Sequence, residues 1–262
     1  MKDIIAIIGA GNMGAAFYRG MREHMMRVRL NVCDRNREKL EGLDADHAYT
    51  DPAKAIANTD VVLLAVKPQS ATELLAYLSG GLAGRLVISV MAGVSLDSMK
   101  SMTRSAAVIR AMPNLPAREG RGLTGWIASS GVTAKQRALA RELFLAVGRE
   151  IEVDDETMMD AITALSGSGP AYFCLIAELL ASKAIKEGFT EAQAALIARE
   201  TLIGSAMLLD SNSETPSHLR AAVASKGGTT EAALRALGES GLDAIFFDAI
   251  DRAIARSREL NI

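Results

Sequence analysis

At 262 residues the chain has room for one large or two ordinary domains. Hydrophobic residues make up 49% of it and aromatics only 4%, so its core is expected to be aliphatic, built from Ala, Leu, Ile and Met. A formal net charge of −2, with no block of like charge, argues against nucleic acid or an anionic membrane surface as the partner.

The chain enters an apolar strand pattern at once, without a basic leader, and no uninterrupted run of 18 apolar residues suggests a transmembrane helix. Cys33 and Cys174 lie in separate apolar segments and are expected to be buried thiols, which suits the reducing cytoplasm. His24, His47 and His218 are scattered, so no metal site is expected.

The first 150 or so residues alternate short apolar runs with amphipathic stretches, the pattern of a parallel sheet wrapped by helices. Ile4–Ile8 is the first strand, and a helix runs from Met13 to about Glu23. Val28–Cys33 is the second strand, followed by a short helix over Asn36–Leu43. Asp51-Pro52 starts a helix with a capping carboxylate and a first-turn proline. Val61–Val66 reads as a strand covered on both faces and ends at Lys67-Pro68. Leu86–Val90 is the next strand, with Met91-Ala92-Gly93 as its loop and Ser95 capping a helix to about Met102. Val108–Arg110 leads into Met112-Pro113-Asn114-Leu115-Pro116, where two prolines forbid regular structure. Leu123–Ala128 and Ile151–Val153 are strands flanking a helix over Ala134–Val147. The loops after Val66, Val90 and Ala111 leave carboxyl ends of strands, the edge at which open α/β sheets bind ligands.

Strand signals vanish near Asp155, which sets domains of 1–154 and 155–262. Helices are expected over Ala171–Lys186, Glu191–Leu209 (with a Thr190/Gln193 capping box), Thr215-Pro216 to Ala224, Glu231–Leu237 and Leu242–Arg258. Ala171–Leu180 is apolar nearly all round and needs cover on every side, so a homodimer built through this half is expected.

Gly9-Ala10-Gly11-Asn12-Met13-Gly14 carries the clearest chemistry. It is a G-x-G-x-x-G turn between a strand and a helix, with Asp34 closing the next strand about 20 positions on. Such a turn holds a diphosphate on free N–H groups at the positive end of the helix dipole. Two further stretches stand out in the second half. Ser166-Gly167-Ser168-Gly169-Pro170-Ala171-Tyr172 is either a helix start built for close approach or a gap that admits a flat ring. Ser225-Lys226-Gly227-Gly228-Thr229-Thr230 is either a flexible turn or a set of inward N–H and hydroxyl donors suited to a carboxylate or phosphate.

These stretches, with Ala65-Val66-Lys67-Pro68 and Met112-Pro113-Asn114, resemble the pyrroline-5-carboxylate reductase family nearly end to end. The resemblance implies an N-terminal Rossmann domain, an all-α C-terminal dimerisation domain and reduction of a cyclic imine to proline. It further implies that Ile8, Gly9, Ala10, Gly11, Asn12, Met13, Gly14 and Ala65, Val66, Lys67, Pro68 line the cofactor, with Ala92 and Asn114 near its nicotinamide end. Ser225, Gly227, Gly228, Thr229 and Thr230 would hold the substrate carboxylate, with Asp155 near the ring nitrogen. Lys226 stands where the family usually has proline; Ala222 and Pro52 stand where it often has asparagine.

A protonated cyclic imine accepts hydride without a metal or covalent intermediate, and the chain shows no obvious Lys-His or Asp-His pair. Thr230 is the candidate for donating a hydrogen bond at the ring nitrogen or the carboxylate. Asp34 suits a ribose 2′-hydroxyl and NADH, whereas Arg35 and Arg37 suit a 2′-phosphate; NADPH is the expectation, with NADH as the alternative. Another imine reductase or a β-hydroxyacid dehydrogenase, and a non-catalytic NAD(P)-sensing module, are the rival readings. The partner is a small carboxylate-bearing substrate, and the homodimer can assemble further.

Overall fold

Ile4–Ile8 forms strand β1, and its unbroken apolar character follows from its place: it pairs in parallel with β2 (Arg29–Cys33) on one side and β4 (Val61–Leu64) on the other. The computed structural model describes residues 3–78, 80–211 and 214–261; the expected domain limits at 1 and 262 lie outside these. The sheet has eight strands, completed by β3 (Ala48–Tyr49), β5 (Leu86–Ser89), β6 (Val108–Met112), β7 (Gly122–Ala128) and β8 (Gly148–Glu152). Their order is β3-β2-β1-β4-β5-β6-β7-β8, so the strand sequence reverses between β1 and β4. A crevice at such a reversal is where doubly wound sheets take their ligands.

Successive residues of β1 serve opposite faces. Ile5 and Ile7 join a core with Phe17, Met21, Trp126 and Phe144, beneath α1 (Asn12–His24) and α6 (Ala134–Leu145). Ala6 and Ile8 join the other core, with Val62, Leu64, Leu75 and Met99, beneath α4 (Ala71–Leu78) and α5 (Leu96–Thr103). Local chemistry sets the helix starts. Thr133 and Gln136 close a capping box on α6, Ser95 caps α5, and Asp51 caps the short α3 (Pro52–Ala55). Asn36 caps α2 (Arg37–Glu41).

The sheet is not wholly parallel. β7 runs antiparallel to β6 and parallel to β8. The reason lies in the proline loop: a 3₁₀ turn over Leu115–Glu119 reverses the chain directly, so no crossover helix intervenes. The two-residue β3 and helix α4 have no counterpart in the sequence reading.

After β8 come α7 (Met158–Ile162) and a π-helical turn over Thr163–Gly167. The remaining helices are α8 (Gly169–Lys186), α9 (Glu191–Ser211), α10 (Pro216–Val223), α11 (Thr229–Glu239) and α12 (Leu242–Glu259). The chain divides into two compact units, residues 1–168 with 253–262, and residues 169–252. In the second unit α8 and α9 form a hairpin around Gly188, whose φ of +94° suits glycine. Tyr172 and Phe246 meet edge to face with ring centroids 5.8 Å apart.

This second unit exposes its apolar residues. On α8 only Gly169 and Ala184 are buried, while Leu179 is 56% exposed; on α9 only Ala194 and Ala198 are buried. By length and composition alone, Met158–Lys186 and Glu191–Ser211 are apolar enough to cross a membrane, although charged residues interrupt both runs. Such helices also form protein interfaces. Cys174 lies on α8 and is exposed, contrary to expectation, whereas Cys33 is buried; both are free thiols.

Candidate functional site: a nucleotide crevice and a glycine loop

The nucleotide crevice forms where β1 ends between β2 and β4. Gly9 N–H donates to Cys33 O at 2.7 Å, and Ala65 N–H donates to Ile8 O at 2.8 Å, which ties the three strand ends together. Gly9 has φ +105°, and a Cβ on it would lie 2.6 Å from Ala65 O. A Cβ on Gly14 would lie 1.8 Å from Gly9 O, so α1 packs against the turn only because that atom is missing. Gly11 faces open space.

Helix α1 starts at Gly11 without a side-chain cap and with no acidic residue in its first turn. Its first N–H groups therefore have no side-chain capping oxygen and no carboxylate from the helix's own first turn. Three features fit a dinucleotide diphosphate: the uncapped helix end, the space at Gly11 and the glycine contacts that close the turn.

A cavity of about 320 Å³ adjoins the turn, lined by Gly9, Gly11, Asp34, Arg35, Ala65 and Lys67 among others. Larger hollows of about 440 and 510 Å³ lie around Met21–Met26 and Leu40–Tyr49. They lack the glycine turn and the uncapped helix, and we give them no cofactor role. Ile8, Val66 and Pro52 also line the crevice, as do Lys39, Thr50, Ser70 and Leu74, which sequence reasoning missed. Lys39 stands in the first turn of α2, where sequence alone reads as an ordinary solvated position.

Asp34 is held rather than free. Its Oδ2 accepts from Ala10 N at 2.8 Å and its Oδ1 from Asn36 N at 2.9 Å, with Lys39 Nζ 3.4 Å from Oδ2. The carboxylate thus braces the glycine turn and already has a neighbouring cation. Arg35 is exposed and lies 3.5 Å from Glu73. Burial, with Asp34 and Asp51 nearby, pushes the Cys33 thiol up to about 12, so it is neutral and unreactive at pH 7.

The next loops along the carboxyl edge are Lys67-Pro68, in a 3₁₀ turn, and Met91–Val94, in which Ala92 is exposed between the buried Met91 and Gly93. Asn114 uses its side chain locally. Its Nδ2 donates to Ser166 O and Oγ at 3.2 and 3.1 Å, and its Oδ1 accepts from Leu123 N at 2.9 Å. Asp155 is exposed and caps the turn before α7, accepting from Thr157 N at 2.9 Å. Hydrogen bonds from the Thr157 backbone and side chain hold it below the usual carboxylate range.

In the second unit, Ser225–Thr230 folds as a tight turn. Gly228 N–H donates to Ser225 O at 2.9 Å, and Gly227 has φ +71°. Helix α11 starts at Thr229, two residues before the expected Glu231, with Gly228 as a cap that has no side chain. Thr229 and Thr230 therefore sit in the first turn. The Glu231 carboxylate accepts from Gly227 N–H. Lys226 is exposed.

Comparison with known proteins accounts for both units. Residues 4–93 match a family model described as NADP oxidoreductase, coenzyme F420-dependent, and residues 156–260 match one described as pyrroline-5-carboxylate reductase dimerisation. The pyrroline-5-carboxylate reductase of Pseudomonas aeruginosa is 36% identical over 98% of this chain and 96% of that protein. The Synechocystis enzyme is 42% identical over 80% of this chain and 78% of its own. A solved pyrroline-5-carboxylate reductase from Coxiella burnetii superposes with a TM-score of 0.93 at 34% identity, covering 100% of both chains. A Rossmann crevice, an all-helical partner unit and similarity along the full length lead to one assignment: the chain belongs to the pyrroline-5-carboxylate reductase family.

Proposed function

We propose that this chain reduces 1-pyrroline-5-carboxylate to proline, using hydride from NAD(P)H. The observation that carries the reading is the uncapped start of α1 behind Gly9 and Gly14, in a chain similar over its whole length to enzymes of that name. The cofactor supplies the hydride. The chain's task is to bind, orient and manage one proton. The C=N carbon gains a C–H bond from the hydride, the π pair collapses onto nitrogen, and the protonated nitrogen keeps its proton as the product amine. Holding two reactants in register supplies about 7–11 kcal/mol of such a barrier.

Ile8–Gly14 and Ala65–Pro68 line the cofactor, with Ala92 and Asn114 toward the nicotinamide. Asn114 acts here through its neighbours, because its amide is already bonded to Ser166 and Leu123. Ser225, Gly227, Gly228, Thr229 and Thr230 hold the substrate carboxylate, and the Glu231 carboxylate on Gly227 N–H must give way to it. Asp155 stays ionised at neutral pH, so it attracts a cationic ring nitrogen but does not supply the proton. Thr230 donates the orienting hydrogen bond.

NADPH is the preferred cofactor in this reading. Asp34 is bound to Ala10 and Asn36 and sits beside Lys39, while Arg35 and Lys39 offer cations for a 2′-phosphate. The working form is a homodimer made through the helical unit, able to assemble further, and two free thiols support a cytoplasmic setting. The test follows NADPH absorbance with pyrroline-5-carboxylate against a panel of hydroxyacids and acyclic imines. NADPH oxidation with the cyclic imine alone supports the proposal; reduction of NADP+ by a hydroxyacid, with no turnover of the imine, replaces it with a dehydrogenase.

A further inference from the structure

We propose that residues 257–261 form a back-stop that positions the loop Met91–Val94 for the nicotinamide end of the cofactor, with Asn261 as the locking residue. The assignment rests on the proposed function in taking Ala92 as a nicotinamide neighbour. All the groups involved lie in the first compact unit.

The loop leaves the carboxyl end of β5 and is held at its start, middle and exit. At its start, Met91 N–H donates to Ser89 Oγ at 3.2 Å. At its middle, Gly93 has φ +73° and is buried, and a Cβ there would lie 2.6 Å from Leu260 O. The backbone at Leu260 therefore stands directly behind the loop. At its exit, Leu96 N–H donates to Glu156 Oε1 at 2.8 Å. Ala92 alone of these residues projects outward.

Apolar burial does not secure Leu260, which is 52% exposed. A buried polar cluster secures it instead. Asn261 Oδ1 accepts from Arg110 Nη2 at 3.1 Å, and Asn261 Nδ2 donates to Asp160 Oδ1 at 3.1 Å. Ser257 Oγ donates to the same Asp160 oxygen at 2.7 Å. Arg110 Nη1 donates to Glu156 Oε1 at 2.9 Å, the oxygen that also holds Leu96. One guanidinium on β6, only 4% exposed, thus links the segment behind Gly93 to the exit of the same loop. A buried charge is costly to maintain and is weak evidence for stability; in some proteins such a group is kept for the geometry it fixes. Here the fixed geometry is a loop with one small residue facing the ligand edge.

Asn261→Ala tests this, with Gly93→Ala as a second variant that strains the contact from the loop side. Hydrogen exchange in the ligand-free protein should speed up at least tenfold at Met91 and Leu96, with β1 and β4 unchanged. Affinity for 2′,5′-ADP, which lacks the nicotinamide, should stay within twofold, while NADPH binding followed by its fluorescence should weaken at least fivefold. With substrate, kcat should fall by a larger factor than the KM for NADPH rises. Unchanged exchange in both variants overturns the back-stop alone. An equal loss of 2′,5′-ADP and NADPH overturns it too, because that marks general loosening of the fold. If the unsubstituted protein fails to bind NADPH, the proposed function falls and this assignment falls with it.

Discussion

The two compact units of this chain solve burial in opposite ways. In the first, both faces of the central strands are covered from within: Trp126, Phe17 and Phe144 fill one side, and Leu75, Leu82 and Met99 the other. In the second, Leu179, Met207 and Phe247 stand 56%, 66% and 66% exposed, and the long helices bury little but alanine and glycine. A single chain thus completes the nucleotide-binding half by itself and leaves the helical half without a full core. The family match to a dimerisation region explains that incompleteness. The contrast predicts that cofactor binding and self-association are separable properties, written in different residues.

The sharpest way to break the comparison is Leu179→Glu. Its side chain buries little within the protomer, so the first unit should keep its fold. We expect a monomer by sedimentation and a loss of turnover of about a hundredfold or more, equivalent to about 2.7 kcal/mol. NADPH binding should stay within about threefold. Loss of cofactor binding in the same variant would show that the halves are not separable.

Gly9→Ala attacks the other half. It places a Cβ 2.6 Å from Ala65 O at φ +105°. Backbone strain of this kind costs about 1–3 kcal/mol. NADPH affinity should fall about tenfold or more by fluorescence titration, while the protein still sediments as a dimer. Thr230→Val comes next, with an expected loss of at least about tenfold in kcat, or about 1.4 kcal/mol, and unchanged cofactor binding. Unchanged kinetics would remove Thr230 from the reaction. Lys39→Met should reduce the NADPH-to-NADH preference only about two- to fivefold, since an exposed ion pair contributes about 0.2–1 kcal/mol.

A further effect, confined to pH above 9, concerns Cys33. Its thiol is raised from 9.0 to about 12 in the folded chain, so the folded state keeps a proton that the unfolded chain loses above pH 9. Its contribution to stability is therefore full below pH 9 and lost as pH rises toward 12. Denaturation of Cys33→Ala should show a shallower decline between pH 9 and 11 than the unsubstituted protein. Parallel declines would show that the thiol is not so perturbed.

Sequence revealed the parts whose chemistry is local. The turn Gly9–Gly14 shows itself because glycine at those positions answers a backbone demand that few other features imitate. Helix starts at Asp51 and Ser95 were legible because caps act over three residues. The direction of β7 was not, since nothing in the apolar pattern of Gly122–Ala128 distinguishes a direct reversal from a crossover. The Arg110–Asn261 contact was hidden for a different reason. Its partners stand 151 positions apart, and a lone arginine in a strand carries no sign of what neutralises it. Asp34 was legible as a crevice position, but its bond to Ala10 N–H was not, because that depends on how the turn folds back.

The most direct test of the central claim uses NADPH carrying deuterium at the transferable C4 position, with pyrroline-5-carboxylate as substrate. The account predicts one mole of deuterated proline per mole of NADPH oxidised, with the label on the ring carbon beside nitrogen that does not bear the carboxylate. NADPH oxidation without label at that carbon, or no oxidation while NADPH binds normally, would contradict it.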